Sequence, residues 1–275
     1  MSPDELARER HFGRIAAVAA VVSGIALYGG ILWAQLAYSD APDNKADRLR
    51  YFDRHAGEIL ASAVIQAVGM LLLAVVALHL YRAVKARKPD EPLVVAVMGV
   101  YGPVGMALIT VAQAVALTII AGDFADRPSQ TLAAAEDALK DPALLIPRYI
   151  GISAALALAF WLVKGSLDAM RVGLLTRFMG VFGIALGPAF VLQFGSLILP
   201  VWLIALGALF AGRWPGGLPP AWESGEASPL PSAKERRAAA ADAAEAAEPG
   251  RNGEVDPVGP GVRGAGRRRG RRDPG

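Results

Sequence analysis

The chain has 275 residues, of which 54% are hydrophobic and 19% are charged, and this composition is too apolar for a typical soluble protein of that length. It contains no cysteine, which excludes a disulfide framework, a thiolate nucleophile and a cysteine-based metal site. The formal net charge is +3, but five arginines between residues 267 and 272 account for the excess, so the charge does not indicate a nucleic-acid-binding fold.

The apolar residues are grouped in uncharged blocks, and these blocks predict an all-α membrane bundle. The hydrocarbon interior offers the backbone no water to hydrogen-bond, so a block of about 17–25 apolar residues has to form a helix that satisfies its own amides. We predict about six transmembrane helices; five or seven also fit, because the last two blocks are short. The predicted spans cover residues 15–38, 59–81, 93–121, 145–165, 174–194 and 198–212.

The first block, residues 15–38, carries no charge and ends in Trp33 and Tyr38, aromatic residues typical of a membrane interface. A cleaved signal peptide is the alternative, since Ala37 and Ser39 resemble a cleavage site. The block is longer than the apolar region of a signal peptide, about 7–15 residues. We therefore favour an uncleaved first helix.

Two long polar segments separate the early spans on one side of the membrane. Residues 39–58 predict a helical turn capped by Asp43 or Asn44. Residues 122–148 predict a short amphipathic helix between Pro128 and Pro142. Within the third span, Gly102-Pro103 predicts a kink, because proline removes a helical hydrogen bond.

The distribution of basic residues predicts the orientation. A compact loop after the second span carries Arg82, Lys85, Arg87 and Lys88, and short basic loops remain in the cytoplasm. We predict a multi-pass protein of the plasma membrane, the inner membrane of a bacterium. Both termini, residues 1–14 and 214–275, are then cytoplasmic.

The last two spans form a predicted hairpin with basic residues at both feet. Gly183 and Gly187 form a GxxxG pair, a spacing that lets helix backbones approach closely, and we expect a contact within the chain. The sequence allows the turn between the two helices only at residues 194–200. Arg171, Arg177 and Arg213 are our candidate lipid-headgroup anchors.

The tail, residues 214–275, is rich in Ala, Gly, Pro, Glu and Arg. Such a segment buries too little apolar surface to offset its chain entropy, so we predict disorder, with a transient helix over residues 233–248. The tail is a candidate contact for a protein partner or for anionic lipid. A nucleic-acid partner is not favoured.

The segment AMRVGLLTRFMGVFGIALG and the following LPVWLIALGALFAGRWPGGLPPAWESGEA resemble the closing part of an uncharacterised family of multi-pass membrane proteins common in actinobacteria. The similarity to DUF4386-type membrane proteins is looser. It covers residues 122–227 best and is absent from the arginine-rich end. The resemblance implies a six-helix plasma-membrane protein and implies no activity.

A search for reactive groups is largely negative. The sequence has three histidines with no metal-ligand spacing, and no nucleotide-binding motif, so we predict no metal, cofactor or catalytic residue. The spans contain no carboxylate, which ion-driven transport ordinarily requires. Intramembrane amides, Gln66 and Gln113, and His79 near the inner end of the second span are the candidate polar lining.

Three functional hypotheses follow. A non-enzymatic membrane protein that acts through lipids or partners is favoured, because catalytic groups are lacking. A small-solute transporter or channel is the alternative, and it requires a hydrated cavity that reaches Gln66 or Gln113. An intramembrane enzyme is less favoured, and its best constellation is His79, Asp168 and Arg171. The sequence leaves the oligomeric state open.

Overall fold

We analysed a computed structural model of the chain, which describes residues 3–192, 194–229 and 233–246. Every regular element in these residues is an α-helix, as predicted. The helices are α1 (Pro3–Tyr38), α2 (Lys45–Arg54), α3 (Ala56–Arg87), α4 (Leu93–Ala125), α5 (Leu132–Ala138), α6 (Pro142–Arg171), α7 (Arg177–Val191), α8 (Gly195–Phe210), α9 (Pro220–Ser224) and α10 (Ala233–Ala246).

A helix therefore occupies each of the six predicted spans, but the six differ in length. Four of them, α1, α3, α4 and α6, are long and apolar enough to cross a membrane. By contrast, α7 has 15 residues and α8 has 16. Length and composition thus support four crossings directly.

Close backbone contacts join α4 to α6 along the centre of the bundle. A Cβ placed on Gly102 would lie 2.6 Å from the backbone nitrogen of Leu158, and one on Gly99 would lie 2.5 Å from the indole of Trp161. Trp161 itself packs edge-on against Trp202 of α8 at 6.4 Å between ring centroids. The chain stays helical through Pro103, at the position of the predicted kink.

The GxxxG pair of α7 contacts α6. A Cβ on Gly187 would lie 2.8 Å from the carbonyl oxygen of Ala159, and one on Gly183 would overlap Ser166. The turn of the hairpin lies before Gly195, earlier than the predicted residues 194–200, and Pro200 is inside α8. Because the helix continues past Pro200, the neighbouring backbone amides keep their helical hydrogen bonds. An apolar environment favours this over ending the helix at the proline.

Two short helices cover one end of the bundle. α2 begins after Asn44, whose side chain accepts hydrogen bonds from Ala46 N and Asp47 N, so the predicted cap is present. α5, the predicted amphipathic helix, begins after Thr131. Leu49, Phe124 and neighbouring alanines bury a small apolar cluster beneath these helices.

Residues 213–229, which we call the cap segment, fold onto the opposite end of the bundle. The indole nitrogen of Trp222 donates a 2.8 Å hydrogen bond to Leu174 O, and Ser228 N donates to Val172 O at 3.1 Å. The structure thus differs from the predicted tail, which included residues 214–229. The polar composition of the tail masks this short segment, in which Trp214 and Trp222 supply apolar surface and the Trp222 indole N–H supplies a polar anchor.

The remaining described helix, α10, belongs to a separate unit that starts at Pro231. It falls within the predicted transient helix over residues 233–248. The predictions for the arginine-rich residues that follow lie outside the described residues.

Candidate functional site

The helices that cross the bundle run antiparallel, so the ends of several elements meet at two opposite ends of the molecule. For example, α1 packs antiparallel to α3, with Gly13 beside His79 and Gly30 beside Gln66. We call the end with the start of α1, the ends of α3 and α6 and the cap segment the basic end. The end with α2 and α5 is the loop end.

A fully buried arginine, Arg87, ties three elements together at the basic end. Its side chain is 0% exposed, and it pairs with Glu9 of α1 through Nη1–Oε1 and Nη2–Oε2 contacts of 2.7 and 3.1 Å. It also donates to Ala83 O, and through Nε and Nη2 to Ala221 O of the cap segment. All five guanidinium N–H groups therefore have a partner, and Arg87 is a structural clamp rather than a free loop cation.

His79 lies one layer deeper at the same end. Its ring stacks on Trp222 at 5.8 Å between centroids and meets Phe210 edge-on at 5.2 Å. The residue is 9% exposed, and its Nε2 atom is buried without a hydrogen-bond partner in the described part of the chain. This nitrogen lies toward Gly13, because a Cβ there would be 3.9 Å away. A polar atom buried this way leaves hydrogen-bonding capacity unused.

Two cavities meet at His79 and Glu9. The α1–α3 cavity has a volume of about 350 Å³, and the cap cavity, between α1, α8 and the cap segment, has about 290 Å³. Both sizes are near the lower bound of small-ligand pockets, about 300–1,000 Å³. Glu9 and His79 line both cavities. The α1–α3 cavity is otherwise lined mainly by Phe12, Ile15, Ala16, Val75, Leu78 and Arg82. The cap cavity is otherwise lined mainly by Arg10, Gly13, Arg14, Phe210, Leu218, Trp222 and Glu223.

A second charged cluster joins the α3–α4 loop to the end of α6. The carboxylates of Glu91 and Asp168 are 0% and 1% exposed. Lys88 Nζ lies 2.7 Å from Glu91 and 3.4 Å from Asp168. Lys164 Nζ lies 3.3 Å from Glu91 and also pairs with Asp168. We call these four residues the lysine–carboxylate network.

The network is closed to ligands. The adjoining space measures only about 10 Å³, about the volume that admits one water molecule. The hydrogen bond to Glu91 raises the pKa of Lys88, so this ammonium stays charged at neutral pH. Asp168 is therefore a buried carboxylate in the last turn of α6, beyond the predicted fourth span, and lysines neutralise it. This pairing and the lack of space favour a structural role for the lysine–carboxylate network over a role in proton transfer.

A third feature, the loop-end crevice, opens between α4, α6 and the tip of the α7–α8 hairpin. Its volume is about 570 Å³. Gln113 and Arg148 line it, and neither side chain has a hydrogen bond or ion pair with the residues that the structure describes. Its other walls include Met106, Ile109, Thr110, Gly151, Ile152, Phe190, Val191 and Ser196.

The other residues predicted from the sequence are distributed over the molecule. Gln66 donates a 3.4 Å hydrogen bond to Gly30 O, so it joins α3 to α1 and lines none of these cavities. Arg171 is 64% exposed and lies 4.0 Å from Asp168. Arg177 and Arg213 are exposed at the basic end. A role for these arginines as lipid anchors stays a prediction.

The constellation considered for an enzyme does not form one site. Arg171 approaches Asp168, but His79 packs against Trp222 and Phe210. Within the described ranges, no group of three histidine or acidic side chains is close enough to hold a metal ion. Sequence reasoning missed Glu9 as the partner of Arg87 and Lys164 as a partner of Glu91, because these pairs are 78 and 73 residues apart. The short spacings Lys88–Glu91 and Lys164–Asp168 were the readable signals.

Comparisons with family models, curated proteins and solved structures return no match for this chain. The resemblance to the actinobacterial and DUF4386-type membrane proteins therefore stays a prediction. The geometry of the sites is the basis for a functional argument.

Proposed function

We propose that the protein is a non-enzymatic integral membrane protein that binds an anionic phospholipid at its basic end. Its long helices carry large apolar side chains on their outward faces, such as Val18 (64% exposed), Ile25 (59%) and Leu108 (67%). Soluble monomers rarely leave contiguous apolar surface of this kind in water. A bilayer covers it, and we place this bilayer in the bacterial plasma membrane with both termini in the cytoplasm.

The observation that carries the lipid proposal is the buried, unpartnered Nε2 of His79 between two cavities. The α1–α3 cavity has apolar walls along the bilayer-facing side of two helices, which suits an acyl chain. The cap cavity has Arg10 and Arg14 in its lining. Of its two carboxylates, Glu9 is neutralised by Arg87 and Glu223 is left, so the excess of positive charge suits a phosphate group. A phospholipid has both parts joined, and a headgroup oxygen would complete the hydrogen bonding of His79.

A non-enzymatic role is favoured because the two buried ionic clusters at the basic end form closed pairs. Arg87 is saturated by Glu9 and backbone oxygens, and both buried carboxylates of the lysine–carboxylate network have ammonium partners. Neither cluster presents a free acid, base or nucleophile to a cavity. A protein partner bound through the tail remains compatible with this proposal.

Small-solute transport is the second candidate, because the loop-end crevice reaches Gln113, as that hypothesis requires. The packing beneath it argues against a continuous path. The α4–α6 contacts at Gly102 and Leu158 are too close for a solute to pass. Transport would therefore need a second conformation.

The test compares two double variants that remove the same charge from the same end of the bundle. Arg10→Gln with Arg14→Gln alters the cap cavity, whereas Arg171→Gln with Arg177→Gln alters exposed arginines outside it. Each protein is extracted in mild detergent, and its retained lipids are quantified by mass spectrometry. We expect a several-fold loss of bound anionic phospholipid in the first variant. The second should retain near wild-type amounts, because an exposed arginine that contacts bilayer headgroups does not hold a lipid through detergent extraction.

A third variant, Gly13→Leu, fills the space in front of His79 Nε2 without changing any charge. It should also lower lipid retention. Equal losses in the two double variants, together with normal retention in Gly13→Leu, would reduce the effect to general electrostatic attraction and refute the cavity proposal.

A further inference from the structure

The α7–α8 hairpin is too short to cross a bilayer in straight helices. At about 1.5 Å per residue, α7 and α8 are about 22 and 24 Å long, whereas the 33-residue α4 is about 50 Å long. A helix needs about 20 residues to cross the hydrocarbon layer, which is about 30 Å thick. A hairpin that enters from the basic end therefore stops before the opposite surface.

Contacts between α8 and α1 give the depth of the turn. A Cβ on Gly24 would lie 2.7 Å from Pro200 O, and a Cβ on Gly207 would lie 2.9 Å from Ala17 O. Extending this antiparallel register puts the start of α8, Gly195, opposite Gly29. The interfacial end of α1, at Tyr38, is then about 13 Å further along the axis. The turn lies below the membrane surface.

Irregular backbone at this depth needs a polar environment. Non-helical segments are tolerated within a membrane only where protein buries them or where they line a water-filled cavity. Leu192 and Phe194, on either side of the turn, are 64% and 66% exposed, so the described protein does not cover the turn, although Leu192 N and Phe194 N donate to Pro188 O and Ala189 O. The loop-end crevice, lined by Val191 and Ser196 from the hairpin, is the adjoining cavity.

The lining of the crevice selects for negative charge. Its charged side chain is Arg148, and no Asp or Glu is among the described residues that line it. Gln113 and Thr110 add hydrogen-bonding groups. A guanidinium without an acidic partner binds carboxylate or phosphate oxygens in paired hydrogen bonds.

We propose that α7 and α8 form a re-entrant hairpin and that the crevice above its tip is a water-filled binding pocket for a carboxylate or phosphate group. Arg148 pairs with the anion, and Gln113 donates a hydrogen bond to it. The close α4–α6 packing at Gly102 and Gly105 forms the floor, so the pocket does not continue through the bundle to the basic end. This site is separate from the lipid cavities at the basic end.

The absence of native cysteines makes the test direct. Thr110→Cys places a thiol in the crevice, and Leu108→Cys places one two residues away on the outward face of α4, where the side chain is 67% exposed. Both variants are reconstituted in lipid nanodiscs, which leave both faces accessible. They are then treated with anionic and cationic membrane-impermeant methanethiosulfonate reagents.

We expect Thr110→Cys to react and Leu108→Cys to remain unmodified, because water reaches only the crevice. With each rate divided by the rate of the same reagent with a free thiol in solution, the anionic reagent should be favoured several-fold over the cationic one, and adding Arg148→Gln should remove that preference. Ser196→Cys is a second reporter on the hairpin tip if Thr110→Cys does not fold. Equal protection of Thr110→Cys and Leu108→Cys, or a preference that survives Arg148→Gln, would overturn the proposal.

Protection experiments identify the source of the anion. The labelling rate of Thr110→Cys is measured with inorganic phosphate or acetate in neutral-lipid nanodiscs, and again in nanodiscs that contain anionic phospholipid. Slower labelling with the soluble anions indicates a soluble ligand. Slower labelling only with anionic phospholipid assigns the group to a lipid headgroup. Unchanged rates in every condition would overturn anion binding at Arg148, and they would leave the lipid cavities at His79 unaffected.

Discussion

Replacing Arg87 should destabilise the protein more than replacing any exposed arginine at the basic end. Arg87→Met removes five hydrogen bonds and leaves the Glu9 carboxylate, which is only 10% exposed, without its partner. Removing one member of a buried ion pair costs about 3–5 kcal/mol. The cap segment also loses its anchor at Ala221 O, so limited proteolysis should cleave this segment faster.

A double-mutant cycle separates the pairing from the loss of the arginine itself. Glu9→Gln in the Arg87→Met background removes the unpaired charge, so the double variant should be more stable than the sum of the two single effects predicts. Arg82→Met is the matched control. Arg82 is exposed, and its replacement should change the free energy of unfolding by less than about 0.5 kcal/mol.

The free energy of unfolding is measured by denaturant titration in mixed detergent micelles at pH 7. Equal effects of Arg87→Met and Arg82→Met would refute the role of Arg87 as a buried clamp. Additive effects of Arg87→Met and Glu9→Gln would also contradict it, since a direct pair requires coupling between them.

Three further predictions concern packing, pH and capping. Gly183→Val should lower the melting temperature strongly, because the new side chain overlaps Ser166 of α6, and adding Ser166→Ala should restore part of the loss; absence of any rescue would contradict this contact. The hydrogen bond to Glu91 raises the pKa of Lys88 in the folded state. The stabilisation by Lys88 is therefore complete below the usual lysine pKa of about 10.4 and is lost as pH rises through the higher folded-state pKa. Melting temperatures measured between about pH 9 and 12 should fall more for wild type than for Lys88→Met. Asn44→Ala should cost about 1 kcal/mol through the lost cap of α2, measured as faster amide exchange there and unchanged exchange in α3.

The sequence predicts the helices well because hydropathy and capping are local properties. Each uncharged block appears as a helix, and Asn44 caps α2 as expected. Depth in the membrane is not local. Residues 174–194 and 198–212 read as two crossings by composition, whereas the proposed re-entrant hairpin, argued from the register of α8 against α1, has its turn short of the surface. Hydropathy reports which side chains are apolar and does not report how far a hairpin extends.

The candidate sites depend on contacts between distant parts of the chain, and the sequence does not contain these pairings in readable form. Arg87 and Glu9 are 78 residues apart, and Lys88 and Asp168 are 80 residues apart. Each residue alone resembles an ordinary interfacial charge. His79 was a candidate from its position, but its isolation depends on Trp222, which the composition assigned to the tail. The crevice and the two cavities arise from helix lengths and from glycines, and neither feature indicates in the sequence where an open volume will form.

The burial of Arg87 bears on the orientation argument, because a neutralised arginine carries no net charge in the folded protein. The positive-inside rule concerns lysines and arginines near the ends of spans during insertion, and acidic residues contribute little to it. Arg87 is therefore counted as a loop cation before the bundle assembles, although Glu9 pairs with it afterwards. The same holds for Lys88 and Lys164, which later neutralise Glu91 and Asp168. One set of cations thus supports the proposed cytoplasmic side of the basic end and then holds α1, α3, α4 and α6 together at that end.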